Sequence, residues 1–280
     1  MSLKELSPTY HTRIREVVGL AAAIRRPGEE VQLLDAGCAD GLLDRHLHLP
    51  GIRMVGMDVN EGDLAVARLR NPQAVYVLGS LEGIPFGGET YDGAVCVDVL
   101  EHLENDREAV RELHRVLRPG ARLVVTVPQR EFPLPYDPLN WLLMRFGTHL
   151  PFGMWGYGHL RLYSREGITR LLGEEGFTVE EVRHLSHHLI ALGECSYAAN
   201  LLQPLTKSDP SNRRGRSGGA RLGERLRYEP PAWMCRIRDL LIRLDEALFR
   251  RSRRSVGILV VARKEGRGFP APLPPSRHQG

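Results

Sequence analysis

Short apolar runs alternate with amphipathic stretches from residue 10 to about 183, and that alternation is the main structural signal in the chain. Val31–Ala36, Arg53–Asp58, Ala74–Leu78, Gly93–Asp98 and Ala121–Val127 are rich in Val, Leu and Met and bounded by Gly, Pro or Asp, which predicts buried strands. Between them, segments 41–48, 61–70 and 104–117 carry helical spacing. In the last, Ala109, Val110, Leu113, Val116 and Leu117 share a face, with Arg and Glu elsewhere, and Arg118-Pro119-Gly120 ends it. Such alternation demands crossover connections. The expected fold is therefore α/β, a doubly wound, mostly parallel sheet covered by helices on both faces.

The flanks complete the outline. Residues 8–25 predict a helix ahead of the first strand. From Phe132 to Gly158 the rhythm breaks into aromatics, Pro and Gly, the mark of a functional excursion. Ser164 then caps an amphipathic helix to Gly173, followed by a strand Phe177–Arg183 and a helix over 187–205. Residues 207–230 are polar, Gly- and Arg-rich, and are expected to be mobile. A helix over 232–250, a last strand Ser255–Ala262 and a Pro-rich, disordered tail over 265–280 follow. The implied divisions are an N-terminal helix (1–29), a core (30–183), a helical and Arg-rich insertion (184–254), the core's last strand (255–263) and the tail (264–280). No internal repeat is evident.

Composition narrows the class. The 280 residues are 42% hydrophobic and 26% charged, as in ordinary globular proteins. No apolar run approaches the ~20 residues of a membrane helix, and the N-terminus lacks the apolar stretch of a secretory signal. A soluble, cytoplasmic protein is expected. Cys38, Cys96, Cys195 and Cys235 show no short pairing interval, which argues against a zinc ribbon or redox pair. Charge is uneven: residues 207–254 hold 14 basic and 6 acidic side chains, while the whole chain carries only +4. The positive charge belongs to one surface.

The chemistry concentrates where the first predicted strand ends. Leu33-Leu34-Asp35-Ala36-Gly37-Cys38-Ala39-Asp40-Gly41 runs from a strand into a turn of small residues and a helix, so a ligand can lie against backbone. Seventeen residues after Gly41, the second strand ends in Asp58, placed to accept both hydroxyls of an adenosine ribose. The dinucleotide spacing fails, since Gly37, Ala39 and Leu42 occupy its positions, and no Gly-Lys-Ser/Thr follows for a phosphate loop.

Asp35-x-Gly37-Cys38-x-x-Gly41 resembles the first motif of class I S-adenosylmethionine (SAM)-dependent methyltransferases. The likeness continues in order. Gly79-Ser80-Leu81-Glu82-Gly83-Ile84-Pro85-Phe86 looks like the loop beside the adenine, Tyr91-Asp92-Gly93-Ala94-Val95 like the opening of strand four, and Asp98-Val99-Leu100-Glu101-His102-Leu103 like its exit. Arg115-Val116-Leu117-Arg118-Pro119-Gly120-Ala121 precedes strand five. Gly158-His159-Leu160-Arg161-Leu162-Tyr163-Ser164 and Glu175-Gly176-Phe177 are similar to the type-11, ubiquinone/menaquinone-biosynthesis-like branch. Two departures stand out: Ala39 replaces the usual middle Gly, and Ser80 replaces the acid often found after Gly79. The resemblance implies a Rossmann-like seven-stranded sheet, SAM as cofactor, and methyl transfer to O or N of a small or lipid-like metabolite. It places Asp35, Gly37, Cys38 and Gly41 on the methionine side, Asp58 and Val59 at the ribose, Ser80, Leu81 and Glu82 at the adenine, and Asp98 beside the transferred methyl.

Methyl transfer from a sulfonium is an in-line displacement, so alignment dominates and a neutral acceptor also needs a base. Asp98, Glu101 and His102 share one face of a helical turn. Three readings stay open: acids that shape the pocket with His102 packing or capping, His102 as general base, or a divalent metal on the D-x-x-E-H pattern. We take His102, Asp98 and His159 as catalytic, with no metal. His159, Arg161 and Tyr163 stand where the resemblance places acceptor contacts, or form a turn under the sixth strand. Trp141, Phe146, Phe152, Trp155 and Tyr157 make the excursion an apolar lid over an acceptor with a hydrophobic body, or a satellite core. His184, His187 and His188 have helical spacing but no acidic or cysteine partner, so they read as solvated or pocket-lining. Cys96 reads as a small hydrophobe.

The Arg-rich segment supports a rival reading, an RNA methyltransferase that neutralises phosphates with Arg213, Arg214 and their neighbours, and also allows contact with anionic lipid. A solvated insertion is preferred, because stacking aromatics are few. A SAM-binding module without catalysis is the remaining alternative. Acceptor identity and oligomeric state are not legible in the sequence.

Overall fold

The computed structural model describes residues 7–25, 28–151, 153–194 and 231–265. Helix α1 (Pro8–Ala22) opens on Ser7, whose hydroxyl accepts the Tyr10 N–H at 3.2 Å, with Pro8 where a missing N–H costs nothing. Strand β1 (Val31–Ala36), the short α2 (Asp44–Leu47), β2 (Ile52–Asp58), α3 (Glu61–Arg70), β3 (Val75–Leu78) and β4 (Tyr91–Val97) follow. A single 3-10 turn at Leu100–His102 leads to α4 (Asp106–Val116) and β5 (Leu117–Pro128). Asn60 and Asn105 cap α3 and α4, and Ser164 caps the later helix Arg165–Glu174 by accepting the Gly167 N–H at 3.0 Å. After the excursion with its short α5 (Pro138–Leu143) come α6 (Arg165–Glu174), β6 (Phe177–Leu185), α7 (His188–Gly193), α8 (Ala232–Phe249) and β7 (Gly257–Lys264).

The seven strands lie in the order β3-β2-β1-β4-β5-β7-β6. β1 to β5 pair in parallel, and β7 runs antiparallel between β5 and β6. The chain winds outward from β1 in one direction, then from β4 in the other. The β1/β4 boundary is therefore the switch point, where a crevice opens beyond the strand ends.

Adjacent residues in the central strands serve opposite faces. Leu34, Val125 and Val260 join the core under α4 and α6, while Leu33, Val124 and Val261 join the core under α1 and α3. That is why these strands read as continuous apolar runs. A third, smaller cluster of Phe132, Tyr136, Met154, Ala191 and Val256 fills the excursion.

Boundaries move where backbone conformation overrides hydrophobicity. The helix expected over 41–48 shrinks to Asp44–Leu47, because Gly41 at φ +68° cannot belong to a right-handed helix. Strand β4 ends at Val97, and Asp98 leaves it at φ +55°. β5 begins at Leu117: Tyr91 pairs with Leu117 and Gly93 with Arg122, so Arg118-Pro119-Gly120 bulges within the strand. The last strand is Gly257–Lys264, with the Lys264 ammonium donating to the His114 and Leu117 carbonyls at the end of α4.

Residues 195–205 of the expected helix, the 207–230 segment, Cys195, Phe152 and residues 266–280 lie outside the described residues. Among the described residues no helix is long and apolar enough to cross a membrane.

Candidate active site

The turn after β1 is pinned onto the end of β2. The Gly37 and Cys38 N–H groups both donate to the Met57 carbonyl, at 2.7 and 3.0 Å. Gly37 takes φ +91°, and a Cβ there would lie 2.3 Å from the Val99 side chain, so no larger residue fits. Asp58, at the tip of β2, accepts the Ala39 N–H on Oδ2 and the Asn60 N–H on Oδ1, each at 2.9 Å. Each oxygen keeps a lone pair for a further donor. Val59 beside it is exposed.

Asp35 ends β1 in a different state. It is buried, and neither carboxyl oxygen meets a donor among the described residues. Burial, then the Asp44 carboxyl beside it, pushes Asp35 well above the usual carboxyl range, and burial raises Asp44 as well. Tyr76 donates to Asp44 at 2.7 Å, which leaves Asp35 as the acid still open. Burial likewise raises the Cys38 thiol, so it stays protonated and packs as a small apolar group. A turn of small residues beside the half-exposed Asp58 carboxylate at the neighbouring strand tip suits a ligand that lies against backbone and carries paired hydroxyls.

In the loop after β3, Ser80 accepts the Glu82 N–H at 3.2 Å and Glu82 accepts the Asn105 N–H at 3.0 Å. The Leu81 side chain turns into the core. This loop therefore offers a cofactor shape and backbone groups more than free side chains.

A cavity of about 430 Å³ opens next to the end of β4, lined by Arg13 and Tyr10 of α1, Tyr136 and Tyr157 of the excursion, and Asp98, Glu101, His102 and His159. Glu101 is fully buried, and neither oxygen is hydrogen-bonded among the described residues; burial first, and then the Asp98 charge, raises its carboxyl well above the usual range. The Nε2 atoms of His102 and His159 each lie 4.0 Å from it. His102 Nδ1 sits 3.1 Å from the Gly158 carbonyl, which can only accept, so Nδ1 carries the hydrogen and Nε2 is bare toward Glu101. Burial, then His102, lowers His159 to about 4, so it is neutral near pH ~7. The Leu160 N–H donates to the Glu101 carbonyl at 2.8 Å and holds the His159 loop against the turn.

The one-face constellation expected of Asp98, Glu101 and His102 is corrected here. Asp98 lies outside the 3-10 turn, held by Arg13 and by the Thr126 hydroxyl at 2.9 Å. His159 takes its place: Glu101, His102 and His159 each bring one ligand atom within 4.8 Å of the others, the spacing and donor types of a small divalent-cation site.

Other candidates separate from the cavity. Arg161 pairs with Asp106 at 2.7 Å and Tyr163 donates to the same carboxylate at 2.6 Å, so both brace the turn under the sheet. Of Trp141, Phe146, Trp155 and Tyr157, only Tyr157 lines the cavity, beside Tyr136. Trp141 and Trp155 pack on the satellite cluster, and Phe146 is 77% exposed, so the excursion is partly a core of its own. His184, His187 and His188 go to three separate partners, the Gln129 side chain, the Arg254 carbonyl and the Ser252 hydroxyl. Arg13 was not singled out in the sequence, although a cation four residues before the buried Val17 on α1 is a readable signal.

Comparison with known proteins names the module. Residues 34–125 match a family described as a methyltransferase domain. A probable S-adenosylmethionine-dependent methyltransferase of Mycolicibacterium smegmatis is 31% identical over 178 residues, 64% of this chain and 63% of its own length. The family match runs from β1 into β5 and so takes in the switch point of the sheet. The Parvibaculum lavamentivorans ubiquinone biosynthesis O-methyltransferase is 29% identical over 136 residues, 46% of this chain and 54% of that one. The chain thus spans about half to two thirds of these curated relatives. A geranyl diphosphate methyltransferase solved with its substrate and sinefungin superposes with TM-score 0.55 at 14% identity, covering 91% of this chain and 80% of that one. The cyclase SpnF superposes with the same score at 20% identity, covering 90% and 81%. Likeness at this level establishes the methyltransferase fold and not the acceptor.

Proposed function

We propose that the protein transfers the SAM methyl group to oxygen or nitrogen of a small or lipid-like metabolite. The observation that carries this reading is Asp58, held over the β1 turn by the Ala39 N–H with lone pairs still free. When bound, SAM supplies an electrophilic methyl on a sulfonium. Asp58 would accept the ribose hydroxyls, Asp35 would face the methionine end along the Gly37–Gly41 turn, and the loop around Leu81 would flank the adenine. The neighbouring cavity would hold the acceptor between Tyr10, Tyr136 and Tyr157, planar walls suited to an apolar body with a polar tip.

His102 is the general base of this proposal: in the neutral imidazole its Nε2, on the cavity wall, would take the acceptor's proton while the Gly158 carbonyl holds Nδ1. His159, neutral, would accept or donate a hydrogen bond to the acceptor, and Asp98 would hold Arg13 at the rim. O-methyltransferases among the relatives support oxygen as the acceptor atom. Calorimetry with S-adenosylhomocysteine tests the cofactor half: Asp58→Ala is expected to weaken binding about tenfold or more. Unchanged affinity would overturn the ribose assignment. Labelled SAM incubated with cell extract, followed by isolation of the labelled product, tests the acceptor half.

A further inference from the structure

Helix α8 presents a face that the methyltransferase site does not use. Trp233, Ile237, Leu240, Leu241, Leu244 and Leu248 are all exposed, from 39% at Leu241 to 67% at Leu248. Their spacing places them on one stripe about 100° wide.

The helix cannot roll to bury that stripe. Its opposite side is committed: Arg238, Ile242 and Asp245 are buried. The Asp245 carboxylate accepts the His187 and Leu189 N–H groups at 2.6 and 2.8 Å, capping the start of α7. The orientation is therefore fixed by a buried charge with specific donors, and turning the helix would strip that charge of its partners.

Electrostatics choose the occupant. The remaining acids of α8 are already engaged, Asp239 by Arg238 and His11 and Glu246 by Arg15. Arg236, Arg243 and Arg250, on one rim of the stripe, have no ion pair among the described residues and are exposed. An apolar stripe edged by unpaired arginines matches the interface of an anionic bilayer, with leucines among the acyl chains and guanidinium groups at the headgroups. A second copy of the helix would bring those like charges together. A one-sided apolar stripe of this kind suits a seat in the membrane interface, and α8 is not apolar enough to cross a membrane.

We propose that α8 is a surface-docking helix that seats the protein on a membrane containing anionic lipid. The seat lies close to the acceptor cavity. α8 packs on α1, which supplies Tyr10 and Arg13 to the cavity, and just beyond α8 the Arg254 guanidinium lies 5.7 Å over the Trp141 ring of the excursion. An acceptor drawn from the bilayer would have a short path.

Flotation of the full chain with vesicles tests this. The protein is expected to rise with phosphatidylcholine vesicles containing phosphatidylglycerol, to stay down with phosphatidylcholine alone, and to release in high salt. Leu240→Glu/Leu244→Glu should weaken vesicle affinity about tenfold or more, and Arg236→Glu/Arg243→Glu should do likewise. Both variants change exposed positions, so circular dichroism, melting temperature and S-adenosylhomocysteine affinity should match wild type. Trp233 emission should shift to the blue on anionic vesicles, and Trp233→Phe should remove that shift. Three results would overturn the proposal: no flotation with either vesicle, flotation undiminished in the leucine variant, or a dimer in solution that the leucine variant dissociates.

Discussion

Arg13 and Asp98, 85 residues apart, form an ion pair that ties the N-terminal helix to the end of the central strand β4. Asp98 leaves that strand at φ +55° and takes its second contact from the Thr126 hydroxyl of β5. One carboxylate thus holds α1, β4 and β5 together at the mouth of the acceptor cavity.

Loss of the cation should be felt in stability as well as in catalysis. The Arg13 side chain is only 14% exposed, so Arg13→Gln leaves a half-buried carboxylate without its partner. Urea denaturation is expected to show a loss of about 1–3 kcal/mol. Arg13→Lys should recover part of it, because a point charge replaces the charge but not the planar fork.

His102→Ala is expected to lower kcat by about 10²–10⁴-fold while S-adenosylhomocysteine affinity stays near wild type. Single-turnover measurements with the identified acceptor would check the split. Undiminished turnover would return His102 to a packing role on the Gly158 carbonyl.

Asp35 predicts a specific pH dependence. Its folded pKa is raised, by burial and then by Asp44, so its stabilising, protonated form is full below the ordinary carboxyl pKa of about 4 and is lost as pH climbs through the raised value. Asp35→Asn removes that loss. Thermal melts should show the variant gaining on wild type as buffer moves from acid to mildly alkaline, and the advantage shrinking again toward pH ~4. The same variant should bind S-adenosylhomocysteine more weakly.

Metal removal separates two uses of the Glu101, His102 and His159 cluster. A sulfonium donor needs no Lewis acid, so dialysis against EDTA is expected to leave turnover unchanged. Activity lost on dialysis and restored by magnesium or manganese would make the three residues ligands.

The alternation of apolar runs determined the sheet, since period-2 burial on both faces leaves little choice of element type: β1 was legible to the residue, as Val31–Ala36. The Asp35–Gly41 turn and Asp58 were legible for a similar reason, because small residues and an acid at consecutive strand tips are local features. The resemblance named His102, Asp98 and His159 for the acceptor side, but tertiary structure alone decided how they are arranged. Nothing in the spacing of Asp98, Glu101 and His102 reveals that Asp98 is taken by Arg13, or that His159 arrives 57 residues after His102 to replace it, held there by the Leu160 N–H on the Glu101 carbonyl. The exposed stripe of α8 was hidden in the same way. Its leucines read as any amphipathic face until Asp245, capping α7, showed which side of the helix the fold had claimed. Local periodicity states that a face is apolar; only long-range partners determine what covers it.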